Sequence, residues 1–283
     1  MATFAKDAIV DRRLFGMISK RSEEMQYENL IIETGNDFVA SVTLNRPEQF
    51  NTFTTPLALE LDHALKALDA DGSVRVILLK GAGKNFCAGI DVNELSGKTA
   101  MEYRSWIQTM ENPLIAISGM NKPVIAQVQG VAAANGAGLV AAADLAITAD
   151  NARLGLTAIN VGLNCVGPVV PISRCVGRKL ALEMLFFGNL VSAQDALNMG
   201  LVNRVVPAGD LDKEAREWAM LLAQKSPIAL QTAKSGFYAA ADMDYYKSFH
   251  HMNEVFARLC TTEDAKEGVA AFQQKRKPLW RER

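Results

Sequence analysis

FVASVTL (38–44), TPLALELDHALKALD (55–69) and VRVILL (74–79) are the stretches that decide the fold. The first is rich in β-formers and reads as a strand. In the second, Thr55 and Pro56 form an N-cap and first-turn pair, and Leu57, Leu61, Ala64, Leu65 and Leu68 recur at helical spacing. Asp71-Gly72 then breaks the chain, and the third stretch reads as a buried strand ending in the loop KGAGKNFCAG (80–89). Strand, helix and strand in this order form the unit of a parallel sheet with a right-handed crossover.

The alternation continues outward. The spacing predicts a helix over 100–118, a strand in PVIAQVQG (123–130), a helix of small residues in VAAANGAGLVAAA (131–143) and a strand in LAITAD (145–150). Helices follow at 178–187 and 193–199, the latter capped by Ser192 and stopped by Gly200, and LVNRVV (201–206) reads as a short strand. From 211 onward the strand signal stops: LDKEAREWAMLLAQK, PIALQTAKSGFYAAA, MDYYKSFHHMNEVFARL and AKEGVAAFQQK all read as helices. The pattern predicts an α/β core over 26–207 and a helical region over 208–283. Residues 1–25 mix both charge signs with Phe and Ile and read as a partly ordered extension, with a mitochondrial presequence as the alternative.

Composition narrows the functions. Of 283 residues, 49% are hydrophobic and 22% charged, enough apolar material for a sizeable core. Lys+Arg (30) and Asp+Glu (31) nearly cancel, so no global field draws in nucleic acid or anionic lipid. The absence of a run of eighteen apolar residues predicts no membrane span. Four widely spaced cysteines without a CxxC pair, and three histidines (His63, His250, His251), predict neither a metal site nor a disulfide framework. The expected compartment is reducing: cytoplasm, or the mitochondrial matrix for a eukaryotic source.

Two turns offer chemistry: KNFCAGIDVNEL (84–95) after a strand, and QGVAAANGAGL (129–139) between a strand and a helix. Both deliver backbone N–H groups at strand ends, where side by side they would hold a developing oxyanion. The bland reading, that the small residues only let helices pack closely, stays open. Neither string matches a phosphate-binding fingerprint.

LNRPEQFNTF (44–53), these two turns, LVSAQDALNMGLVNRVVP (190–207) and EGVAAFQQKRKPLW (267–280) together resemble the crotonase, or enoyl-CoA hydratase/isomerase, superfamily over about 26–280. INVGLNCVGP (159–168) and the closing FQQKRKPLW are most similar to its enoyl-CoA hydratase domain-containing protein 3 group. The resemblance implies a crotonase-like spiral of ββα turns, a helical C-terminal region that builds a homotrimer or a hexamer of two trimers, and an acyl-CoA ligand with no other cofactor. It places the oxyanion donors at the amides of Ile90 and Asn135, and the CoA-contacting turn at Ala88, Ile90, Asp91, Val92 and Asn93. Phe272 and Lys275 would cover the CoA nucleotide, commonly from a neighbouring subunit; a solvated basic helix end is the alternative for Lys275, Arg276 and Lys277. Asn135 stands where the family has a glycine, and either crowds the thioester or adds a side-chain donor.

The two glutamates that hydratases of this family use are missing. Gly138 and Ala158 occupy their positions, and no Asp or Glu lies between Asp150 and Glu183. General acid–base catalysis contributes about 10²–10⁴-fold, so ordinary hydration is expected to be weak or absent. Cys165 falls where some relatives place another catalytic carboxylate. At the N-terminus of a helix starting near 166–168 its thiol pKa would fall, making it a nucleophile or base; a buried hydrophobe is the alternative. Trp106, Met101, Met110 and Met120 line acyl pockets in relatives and otherwise read as core. Three readings remain: an acyl-CoA enzyme, a non-catalytic acyl-CoA carrier or sensor, and an oligomeric scaffold.

Overall fold

The computed structural model describes residues 27–282, so the expectation for 1–25 lies outside the described residues. The main sheet has the order β1-β2-β3-β4-β6-β9, built from β1 (Leu30–Thr34), β2 (Val39–Leu44), β3 (Val76–Gly81), β4 (Val124–Val128), β6 (Leu145–Ala149) and β9 (Arg204–Val206). β1 is antiparallel to β2; every other pairing in this sheet is parallel. A second sheet joins β5 (Val131–Ala133), β7 (Arg153–Gly155) and β8 (Leu190–Ser192). Isolated parallel bridges Phe53–Ile90 and Cys87–Ala132 extend its edge. Each turn of the chain thus lays one strand in the large sheet, a shorter segment in the small one, then a helix. This is the spiral of ββα turns that the resemblance implies.

The helices of the core are α1 (Thr55–Ala70), α2 (Ala100–Gly119), α3 (Asn135–Ala142), α4 (Val169–Val176), α5 (Arg178–Phe187) and α6 (Ala193–Asn198). α1 buries Leu57, Leu61, Ala64, Leu65 and Leu68, the stripe its periodicity predicts, and Ala58 beside them. Its N-cap is Thr54, not Thr55: Thr54 is extended and its Oγ1 accepts from the Leu57 amide at 3.4 Å. The Thr55 hydroxyl instead donates to Glu94 at 2.6 Å, and Glu94 also accepts from the Thr55 amide and from Trp106 Nε1. Glu94 is therefore a helix cap, favoured by the dipole, that ties the 84–95 turn to α1 and α2.

VAAANGAGLVAAA is not one helix. Residues 131–133 pair with β7 as a strand, the chain turns at Ala134, and only 135–142 is helical. Strand pairing overrides the weak preference of alanine here. All eight residues of α3 are buried.

Beyond the core lie α7 (Leu211–Ala223), α8 (Pro227–Ala240), α9 (Tyr245–Cys260) and α10 (Glu263–Gln273). α7 covers the outer face of the main sheet, packing Leu211, Ala215, Ala219 and Ala223 on Val39, Val76, Leu78, Ile125 and Ile147. α8 is pinned through Lys234, which pairs with Asp144 at 2.7 Å and donates to the Lys122 carbonyl. Burial pushes Asp144 up and Lys234 down, while their mutual attraction opposes both shifts. α9 has no buried residue, and Tyr245, Tyr246, Phe249 and Phe256 are exposed along it.

Candidate active site

The two turns singled out in the sequence lie side by side. Cys87 N–H donates to Val131 O at 3.1 Å and Ala133 N–H donates to Cys87 O at 2.9 Å. The next residues leave this ladder in the same way. Gly89 has φ +99° and Ala134 has φ +48° with ψ −115°, so each turn places a left-handed residue immediately before the amide of interest. That conformation is natural for Gly89 and strained for Ala134, and strain of this kind gathers at functional sites. Ile90 and Asn135 follow. Among the described residues neither amide has a backbone or side-chain acceptor. Phe53 pairs with the flanking Gly89 carbonyl and Asp91 amide, skipping Ile90 N–H, and Asn135 opens α3, where no carbonyl lies one turn back. Gly136 holds the turns at this spacing: a Cβ there would overlap the Cys87 carbonyl oxygen and lie 3.0 Å from the Cys87 carbonyl carbon.

The Asn135 side chain bonds to the neighbouring helix. It is buried, and its Nδ2 donates to the Met110 carbonyl at 3.3 Å, so it fastens α3 to α2. The 90–95 turn is braced by Asp91: its Oδ1 accepts from the Asn93 amide and Nδ2, and Arg46 lies 3.7 Å from its Oδ2. Ala88 and Ile90 are half-buried, while Val92 and Asn93 face solvent. Phe272 and Lys275 are not brought to this site within the chain. They lie exposed at the end of α10, which packs on α8 and α9.

The loop 165–168 threads both positions where the glutamates are missing. Gly138 has no room for a side chain, because an added Cβ would meet Leu114 Cδ2 and Pro168 Cβ, each at 2.9 Å. Ala158 lies beside Cys165, and its backbone opposes in part the upward shift of the thiol. The expected activation of Cys165 is not found. α4 starts at Val169 with Pro168 before it, so Cys165 precedes the helix by a full turn, and burial pushes its thiol pKa up rather than down. Cys87 is pushed further, to about 12, by complete burial. Asn160 is spent on the Gly188 carbonyl at 3.0 Å. Met110 and Met120 are core, Trp106 donates to Thr55 Oγ1 as well as Glu94, and Met101 is exposed. His63 Nδ1 is 2.9 Å from the Tyr27 hydroxyl. No cluster of metal-ligating side chains occurs among the described residues.

Glu111 lies outside the motif positions and outside the 150–183 stretch, so the sequence motifs do not point to it. Glu111 follows Met110 on α2, and its carboxyl group presses on Gly167, where an added Cβ would lie 2.5 Å from Glu111 Cδ. Burial raises its pKa above the usual carboxylate range. It stands on the wall of a mostly apolar cavity of about 770 Å³, with Leu114, Ala141, Val170 and Phe237 among the lining residues. The helical phase of α2 held the signal: Glu111 sits between the buried Met110 and Leu114, at the edge of the inward face.

A spiral of this topology has known relatives. The enoyl-CoA hydratase/isomerase family model matches residues 34–283, and the chain belongs to that family. It is 34% identical over 260 residues to the Xenopus laevis mitochondrial enoyl-CoA hydratase domain-containing protein 3, covering 92% of this chain and 88% of the relative. It is 36% identical to the mevalonyl-coenzyme A hydratase SIDH of Beauveria bassiana, covering 86% of this chain and 91% of the relative. Among solved structures, human enoyl-CoA hydratase domain-containing protein 3 superposes with a TM-score of 0.85 at 32% identity, covering 89% of this chain and all of that one (100%).

Proposed function

We propose that the chain binds an acyl-coenzyme A and polarises its thioester carbonyl between the main-chain amides of Ile90 and Asn135. The observation that carries this reading is the pair of parallel turns in which a left-handed residue, Gly89 or Ala134, precedes an amide without an acceptor among the described residues. Such donors act on the charge that develops on the carbonyl oxygen; losing one costs about 2.7–4 kcal/mol of transition-state stabilisation in enzymes that use them. Ala88, Asp91, Val92 and Asn93 form the turn that meets the coenzyme. Phe272 and Lys275 reach it from another copy in a homotrimer or hexamer, a state supported by the exposed aromatic stripe of α9. No metal or further cofactor takes part. For a eukaryotic source the mitochondrial matrix is the expected compartment, in keeping with the name of the Xenopus relative.

Ordinary hydration is not the expected reaction, since water placed by two carboxylates is the step that Gly138 and Ala158 abandon. A carrier or sensor that kept the cradle without chemistry is the second reading, favoured by the neutral Cys165 thiol and the filled space at Gly138. Titration with octanoyl-CoA, with free CoA as control, tests the shared claim by thermal unfolding. A ligand at one hundred times its Kd stabilises by about 2.7 kcal/mol. Stabilisation by octanoyl-CoA well above that by CoA is expected; equal or absent stabilisation would leave only the scaffold reading.

A further inference from the structure

The cavity between α2, the C-terminal end of α3, α4 and α8 is lined by Glu111, Ser118, Asp144, Arg174, Cys175, Tyr238 and Asp242 as its polar and titratable groups. All but one have partners. Asp144 takes Lys234 and the Tyr238 hydroxyl, Arg174 pairs with Asp242, Ser118 donates to Ile115 O, and the Cys175 thiol donates to Ala141 O. Glu111 alone has neither a hydrogen bond nor an ion pair among the described residues. A half-buried carboxylate without a partner costs free energy that a glutamine or leucine on the same helix face would avoid.

Its position relative to the donors follows from the packing. Met110, the preceding residue, holds the Asn135 side chain, so Glu111 starts level with the first turn of α3. The carboxyl group then reaches Gly167, and the next residue, Pro168, packs against Gly138. Asn135 to Gly138 spans about 4.5 Å along the helix axis. An acyl chain that runs from the amides along α3 meets the Gly167-Pro168 segment, against which the Glu111 carboxyl lies, before it reaches the apolar cavity at the far end of the helix.

Building on the proposed acyl-CoA binding, we propose that Glu111 is the acid–base group of this site, moving a proton at the carbon next to the thioester carbonyl. The carboxylate takes the α-proton, forming an O–H bond as the C–H bond breaks. The electron pair of that bond passes into the enolate, whose oxygen charge rests on the amides of Ile90 and Asn135. The same carboxyl group returns the proton, to the α-carbon or, where a double bond lies one carbon further on, to the γ-carbon. Atoms and electrons balance without a co-reactant. Burial shifts the Glu111 pKa upward, the direction that makes a carboxylate a stronger base.

The test uses the full-length protein in D₂O with 3-octenoyl-CoA, whose α-protons are activated on both sides, and reads deuterium at the α-carbon by mass spectrometry. Binding is measured in parallel by calorimetry. Wild type should exchange the α-proton, with a rate that falls as pH drops through the raised Glu111 pKa. Glu111→Gln should bind within a few-fold of wild type, exchange about 10²–10⁴-fold more slowly and lose that pH dependence. Glu111→Asp, which keeps the carboxylate on a shorter arm, should recover part of the rate. Tight binding by wild type without exchange, or wild-type exchange by Glu111→Gln, would overturn the role of Glu111 while leaving the cradle intact. Failure of wild type to bind would overturn both.

Discussion

Replacing Gly136 by alanine tests the spacing between the two donor turns. Gly136 is the second residue of α3, and alanine in a helix is favoured over glycine by about 1 kcal/mol at most. Against this, the new methyl group would overlap the Cys87 carbonyl oxygen and lie 3.0 Å from both the Cys87 carbonyl carbon and its Cβ. These are backbone or fully buried atoms, and no flexible side-chain end can swing aside. Relief requires the turns to part, which stretches the 2.9 Å bond from Ala133 N–H to Cys87 O. Overpacking costs about 1–3 kcal/mol and a lost hydrogen bond about 1 kcal/mol more, so the net expected destabilisation is about 1–3 kcal/mol. Urea unfolding followed by circular dichroism at one fixed protein concentration measures it, and octanoyl-CoA titration should show weakened binding. A variant as stable as wild type or more so, with unchanged binding, would refute the claim that these turns are locked together.

Three further outcomes are expected. Ala134→Gly relieves a left-handed alanine whose strain costs about 1–3 kcal/mol, against about 0.5–1 kcal/mol for the added freedom of glycine when unfolded. The variant should be at least as stable as wild type in urea and keep its acyl-CoA binding. Glu111 has a raised folded-state pKa, so the native state holds the proton where the unfolded chain has released it. Wild type should therefore lose stability relative to Glu111→Gln as pH rises past the unfolded carboxylate pKa, levelling off above the folded one; thermal melts of both across pH 4–8 check the sign, and solvent screening keeps the difference small. Cys165→Ala should leave the α-proton exchange rate unchanged, because the thiol stays neutral; a large fall in that rate would assign sulfur a role.

Much of the fold was written in local patterns. α1 declared itself through five apolar positions at helical spacing, all of them buried, and α6 through Ser192, whose reciprocal capping bonds with Asp195 are present. β7 and β8 were not legible, since three residues carry no period, and the boundary of β5 and α3 was hidden in a run of alanines that suits either state. β1 also escaped notice, as its LIIET pattern is mostly exposed. At the site, the backbone donors were accessible by resemblance because main-chain chemistry survives side-chain change. The strain at Ala134 and the bond from the Asn135 side chain to the Met110 carbonyl were not, because both depend on neighbours distant in sequence. Glu111 lies 24 residues before Asn135 and 56 before Gly167 in the chain and meets their surroundings only through the packing of α2 on α3 and the 165–168 loop.

The carbonyl of the bound thioester reports on the cradle directly. Isotope-edited infrared difference spectra of octanoyl-CoA carrying ¹³C at the carbonyl, free and saturated with protein, isolate that single bond. Two aligned N–H donors should move its stretch to lower frequency on binding, with the shift diminished in Gly136→Ala. A thioester that binds with its carbonyl band unmoved would contradict the assignment of Ile90 and Asn135.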